Sequence, residues 1–210
     1  MSGPAASAAA SAATAEAAAA AASAVDPATD DLALAVRLLA ATPTHENRTP
    51  AELRRWALAA DAFGAALDPG PPCRTRIVER GDGLGQLLLA RYTSRPATVE
   101  LYTDTIDRAE TLIDELGWRA WYPVGSVRAA ALAHESAHAL LHRKGTRSAL
   151  KEALGHTALR LGRHRVLAHV AGADELVAHA YARTVCGLGR SPLLLTAALA
   201  AAVATPGRQR

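Results

Sequence analysis

The sequence predicts an α+β fold, mostly helical, with a small, about three-stranded sheet preceding a long helix that carries the chemistry. Three observations predict it. Most of the chain repeats Leu, Val and Ala at helical spacing. Residues 74–102 break that rhythm with short runs rich in Val, Ile, Tyr and Thr, separated by Gly and Pro. Aromatic residues make up only 4% of a chain that is 50% hydrophobic, so its core must be built from small aliphatic side chains that suit close helix packing.

Residues 1–28 are an Ala/Ser-rich tail with almost no bulky side chain. Such a stretch cannot bury enough surface to offset its ordering entropy, and disorder or a fraying helix is expected. Residues 29–70 form an N-terminal helical segment. Leu32, Val36 and Leu39 place one helix at 30–41, and Thr49-Pro50-Ala51-Glu52 supplies the N-cap, N1 proline and capping-box glutamate of a second, running to about Leu67. Asp68-Pro69-Gly70-Pro71-Pro72 ends it.

Residues 71–205 form the main domain. Strands are expected at Arg74 to Arg80, Gly85 to Tyr92 and Thr98 to Tyr102, with turns at Gly81-Asp82-Gly83 and Ser94-Arg95-Pro96. Thr103 or Asp104 then caps a helix that Gly117 stops, and Ser126 caps the long helix through Leu141. Further helices are expected from about Ser148 to Leu161, Ala173 to Cys186 and Pro192 to Val203.

Composition narrows the function classes. The net charge is +3, and Lys144 and Lys151 are the only lysines among 23 basic residues. With so few aromatics for stacking and no binding motif, the basic clusters Arg143 to Lys151 and Arg160 to Arg165 read as solvated helix faces, and no nucleic-acid partner is expected. Cys73 and Cys186 belong to no CxxC pair, which argues against a disulfide framework or a cysteine metal site. The N-terminus lacks a basic n-region and a leucine-rich core, and no apolar run is long enough to span a bilayer. A soluble, cytoplasmic protein without membrane contact is the expectation.

The chemistry is concentrated in His134-Glu135-Ser136-Ala137-His138, an H-E-x-x-H motif inside the apolar run Val127 to Leu141. Histidines four apart differ by only about 40° around a helix, so both imidazoles can face one ion. Glu135 is one step on, where its carboxylate can reach a water on that ion and act as general base. With 8 histidines in 210 residues, chance gives this motif about 0.01 to 0.02 times. Burying these groups without partners on so apolar a face would cost on the order of several kcal/mol, which favours zinc over a structural coincidence.

A catalytic zinc takes a third protein ligand. The metzincin continuation H-x-x-G-x-x-H is excluded, because Lys144 stands where its last histidine belongs. A glutamate on a later helix is the other common solution, and Asp174-Glu175-Leu176-Val177-Ala178 offers Glu175, with Asp174 competing for the role. Small Ala178 lets such a helix approach the motif helix closely. His142 continues the i, i+4 ladder and is expected to pack beside the site. His156, His164, His169 and His179 lack matching spacing and read as surface or core residues.

The run Leu132-Ala133-His134-Glu135-Ser136-Ala137-His138-Ala139-Leu140-Leu141-His142 resembles the active-site helix of ImmA/IrrE-type metallopeptidases. Asp174-Glu175-Leu176-Val177-Ala178-His179-Ala180-Tyr181-Ala182 is similar to the E-x-x-A glutamate helix of that group and to the matching stretch of ArdC-type antirestriction metallopeptidases. The resemblance covers roughly Thr98 to Leu188. It departs at Ala137, where a glycine is common, and at Val177, where an acidic residue is common. It implies a zincin-like fold of the gluzincin kind, with His134, His138 and Glu175 as zinc ligands and Glu135 as the base.

The function so implied is a zinc-dependent metallopeptidase acting on a protein or peptide substrate, with a narrow range. Tyr181, Tyr122 or a nearby histidine would stabilise the oxyanion. The alternative is a zinc-stabilised, non-catalytic binding or regulatory module that keeps the same helix pair.

Overall fold

The computed structural model describes residues 26–69, 75–143 and 145–204. The expected tail is therefore almost wholly outside the described residues, as is Cys73. Seven helices and two small sheets make up the described α+β chain.

Helices α1 (Asp31–Ala40) and α2 (Pro50–Ala65) open the fold. Asp30 caps α1 by accepting from Ala33 N at 2.6 Å. At α2 the anticipated capping box is present: Thr49 Oγ1 accepts from Glu52 N at 3.2 Å, and Glu52 Oε2 accepts from Thr49 N at 3.1 Å. Satisfying the free N–H groups of the first turn fixes where this helix begins.

The first sheet holds β1 (Arg76–Arg80), β2 (Ala90–Ser94) and β3 (Ala97–Tyr102) in the order β1-β3-β2. β1 runs parallel to β3 with Arg76 opposite Thr98, and β2 runs antiparallel to β3 with Tyr92 opposite Val99. β2 is thus an edge strand, and it lies along the motif helix. Glu100 on β3 binds Arg80 from β1 and Arg91 from β2, each through two N–H groups, and so ties the three strands together.

The second expected strand starts later than its sequence suggests. Leu84–Gln86 form a 3-10 turn and Leu87 takes the left-handed conformation at φ 55°. The cause is Asp104, whose carboxylate accepts from Gly83 N at 3.1 Å and Leu84 N at 2.9 Å and curls the segment. Asp104 is therefore not the cap of α3 (Thr103–Glu115); that helix has Tyr102 at its N-cap and no side-chain cap. Thr103 Oγ1 instead donates to Arg80 O at 2.9 Å.

Motif helix α4 (Ser126–Leu141) also differs at its start. Gly125, at φ 78°, is the N-cap, and Ser126 is the first helical residue, its Oγ buried without a hydrogen-bond partner. The segment between α3 and α4 folds as a 3-10 turn at Trp118–Ala120. Buried Tyr122 in this segment donates to Ser191 O at 2.7 Å, tying it to the chain just before α7 (Pro192–Ala204).

The expected helix from Ser148 to Leu161 is a correction. Only α5 (Thr146–Leu154) is helical; Gly155, left-handed at φ 61°, ends it, and the chain continues as the antiparallel pair β4 (Thr157–Leu161) and β5 (His164–Leu167). A left-handed glycine stops a helix without a Cβ clash, so the helix ends at Gly155 instead of running on to Leu161. The structure thus has a second, two-stranded sheet that the sequence reading lacked.

Helix α6 (Ala173–Val185) completes the site. It packs against α4 and, with its other side, against α2. At the α2 crossing a Cβ on Gly64 would come within 2.3 Å of Val177 O, so only glycine permits this approach. Ala137 of α4 and Ala178 of α6 are both fully buried in one core with Ile113, Leu194 and Leu199. Leu39, Trp56 and Ala60 from residues 29–70 share a second core with Leu141, Leu150 and Val177 from residues 71–205.

Candidate metal centre

α4 presents His134 and His138 one turn apart, and α6 brings Glu175 to them from 37 residues downstream of His138 in the sequence. The two Nε2 atoms are 3.1 Å apart. Glu175 Oε2 lies 3.3 Å from His134 Nε2, and Oε1 lies 3.3 Å from His138 Nε2. Among the described residues these three side chains form a group able to hold a metal ion. The imidazoles are largely buried, while Glu175 is half exposed.

The spacing can be tested against a tetrahedral ion. Ligand bonds of about 2.0 to 2.1 Å at tetrahedral angles put neighbouring donor atoms about 3.3 to 3.4 Å apart. The Nε2–Nε2 separation of 3.1 Å is near that edge length, and each imidazole has one Glu175 oxygen at 3.3 Å, Oε2 for His134 and Oε1 for His138, so the carboxylate straddles the pair. Two neutral nitrogen donors and one carboxylate are also a donor set that zinc accepts.

The charges in the group are arranged accordingly. Hydrogen bonds from His134 and then His138 hold the Glu175 carboxyl far below the usual carboxylate range. The hydrogen bond to Glu175 raises His138 in turn, against an opposing effect of burial. Asp174, the competing acid, is not part of the group.

Glu135 points elsewhere. Its Oε2 accepts from Tyr92 N on edge strand β2 at 2.8 Å, so the sheet edge holds this carboxylate beside the histidine pair. Both groups open into one cleft of about 640 Å³. Its apolar wall includes Val127, Ala130 and Ala131 of α4 together with Leu188 and Leu195, and the partnerless Ser126 Oγ lies in the same wall.

Two further histidines reach the cleft. His142 lines it at the exposed end of α4. His179, which sequence spacing alone left as a core or surface residue, also lines it. Its ring centroid is 4.6 Å from that of His134, and burial, followed by the proximity of His134, pushes it down to about 3. The signal was its place one helical turn after Glu175, which puts both on one face of α6. His156 packs instead on Trp56 with centroids 4.9 Å apart, and His169 is exposed.

Of the two tyrosines considered for the oxyanion, Tyr122 lines the cleft, but its O–H is directed to Ser191 O. Tyr181 is buried and does not line the cleft. Arg143, Arg147, Arg160, Arg163 and Arg165 are exposed. Cys186 is a free, partly buried thiol that burial shifts upward. No helix among the described residues is long and apolar enough to cross a membrane.

Comparison with known protein families, curated proteins and solved structures gives no match to this chain.

Proposed function

We propose that this protein is a zinc-dependent metallopeptidase of the gluzincin kind, with a zincin-like arrangement of sheet edge, motif helix and glutamate helix. The observation that carries the reading is the juxtaposition of a three-residue group able to hold a metal ion with a separate carboxylate held in the same cleft. His134, His138 and Glu175 would hold the ion. Zinc bound there supplies Lewis acidity that brings the pKa of a coordinated water toward about 7.

Glu135 is the general base. Tyr92 N–H engages its Oε2, which orients the carboxylate and leaves Oε1 to take a proton from the attacking water and return it to the leaving amine. Strand β2 favours an extended peptide as substrate. Its pairing to β3 uses one edge, and because Tyr92 N–H points away from β3, the alternation of an antiparallel ladder turns the Ala90 backbone groups the same way. Both residues line the cleft, where a peptide adds as a further strand through the Ala90 backbone groups while the Tyr92 N–H stays with Glu135.

The test is Glu135→Gln. The variant should retain stoichiometric zinc by metal analysis while peptide-library cleavage falls about 10²- to 10⁴-fold. Full turnover in this variant would refute Glu135 as base. A wild-type protein that holds zinc and cleaves nothing would favour the binding-module alternative.

A further inference from the structure

Buried polar groups in folded proteins have partners, and an exception calls for an explanation. His179 is such an exception. It is 9% exposed, its Nδ1 is buried with no hydrogen-bond partner, and its ring borders the cleft beside His134. The nitrogen left for the open side is Nε2. A proton on Nδ1 would be an N–H donor sealed away from every acceptor, whereas a proton on Nε2 faces water or substrate.

Three other side-chain donors along the cleft are engaged, and Ser126 Oγ, buried without a partner, lies more than two helical turns before His134 on α4. Tyr122 O–H goes to Ser191 O, Thr196 Oγ1 to Leu193 O, and the Arg91 guanidinium to Glu100. Tyr92 holds Glu135 through its backbone while its ring packs on the core. His142 stands at the exposed end of α4, outside the buried part of the cleft.

We infer that His179 is a catalytic residue whose Nε2–H donates to the substrate carbonyl oxygen as that oxygen gains negative charge. This deepens the peptidase reading and rests on it. A donor fixed in a water-poor wall needs no reorganisation when charge develops, which is where such a hydrogen bond contributes most to rate. Its place one turn beyond Glu175 puts the donor and a metal ligand on one rigid helix, so packing that seats α6 positions both.

The experiment compares wild type with His179→Phe and His179→Gln. Phe keeps a ring against His134 and removes the donor; Gln restores an N–H without the ring. His179→Phe should keep its zinc and lose kcat by about 10²- to 10³-fold with KM little changed, and His179→Gln should recover part of that loss. A phosphonamidate dipeptide, an anionic mimic of the tetrahedral adduct, should bind the Phe variant more weakly by calorimetry. Nitrogen-15 NMR of wild-type imidazoles should place the His179 proton on Nε2.

Zinc loss in His179→Phe, unchanged kcat, or a proton on Nδ1 each overturns the donor role. The two readings fail separately. Equal binding of the mimic by wild type and variant overturns the donor even if peptides are cleaved. Mimic binding that depends on His179 in a chain that cleaves no peptide keeps the donor and removes the peptidase.

Discussion

Helices α4 and α6 face each other across the candidate metal site, and they place their functional groups by different means. α4 carries His134, Glu135 and His138 within five residues, so helical periodicity alone aims the two imidazoles together. α6 carries Glu175 and His179, which mean little until packing turns that face toward α4. Its seating depends on the close approach of Gly64 to Val177, on the Ala137 and Ala178 core, and on Arg183, which pairs with Asp31 of α1 at 3.3 Å and Asp61 of α2 at 2.9 Å. One wall of the site is thus a local motif and the other is a product of the whole fold.

The sharpest way to break this contrast is to remove one ligand from each wall. His138→Ala and Glu175→Ala should each weaken zinc binding by more than about 100-fold in competition with a chelator, since a missing ligand costs more than a missing outer partner. If only the α4 variant lost zinc, α6 would not be a wall of the site at all.

Acid should act first through α6. His179 is held well below its ordinary value of 6.5, so the unfolded chain takes up a proton that the folded chain refuses between 6.5 and about 3. Stability of the zinc-free protein should fall across that window, by up to about 1.4 kcal/mol per pH unit. Glu175, also lowered, adds to the loss as pH drops beneath its ordinary 4.5. His138 on α4 works in the opposite sense: raised above 6.5, its contribution is complete below that value and is lost as pH climbs through its folded one. Urea midpoints between pH 3 and 8 should show a shallower acid limb in His179→Phe than in wild type.

Gly64→Ala tests the seating without touching a ligand. A Cβ there meets backbone, which cannot swing aside, so α2 and α6 must separate. A loss of about 1 to 3 kcal/mol in chemical denaturation is expected, with weaker zinc affinity although both histidines are intact. The smallest effect should come from the β4–β5 pair. Leu159 is 53% exposed, and Leu159→Thr should change stability by no more than about 0.5 kcal/mol and leave zinc binding unaltered.

The amino-acid order by itself determined whatever rests on neighbours within a few residues. The capping box at Thr49, the helix that aligns His134 with His138, and the glycine stop at Gly117 all follow from backbone geometry over one or two turns. Ser126 and Asp104 show where that logic ends. Each has the chemistry of a cap, but one is buried as the first residue of its helix and the other is drawn to the amides of Gly83 and Leu84 some 20 positions away. Tertiary structure alone decided that the Tyr92 amide anchors Glu135 and that His179 enters the cleft, and it was packing that carried Glu175, already favoured over Asp174 by the sequence, to the imidazoles. Those contacts join residues far apart in sequence, and their geometry is set by how closely helices and a sheet edge pack, which no short stretch of sequence encodes.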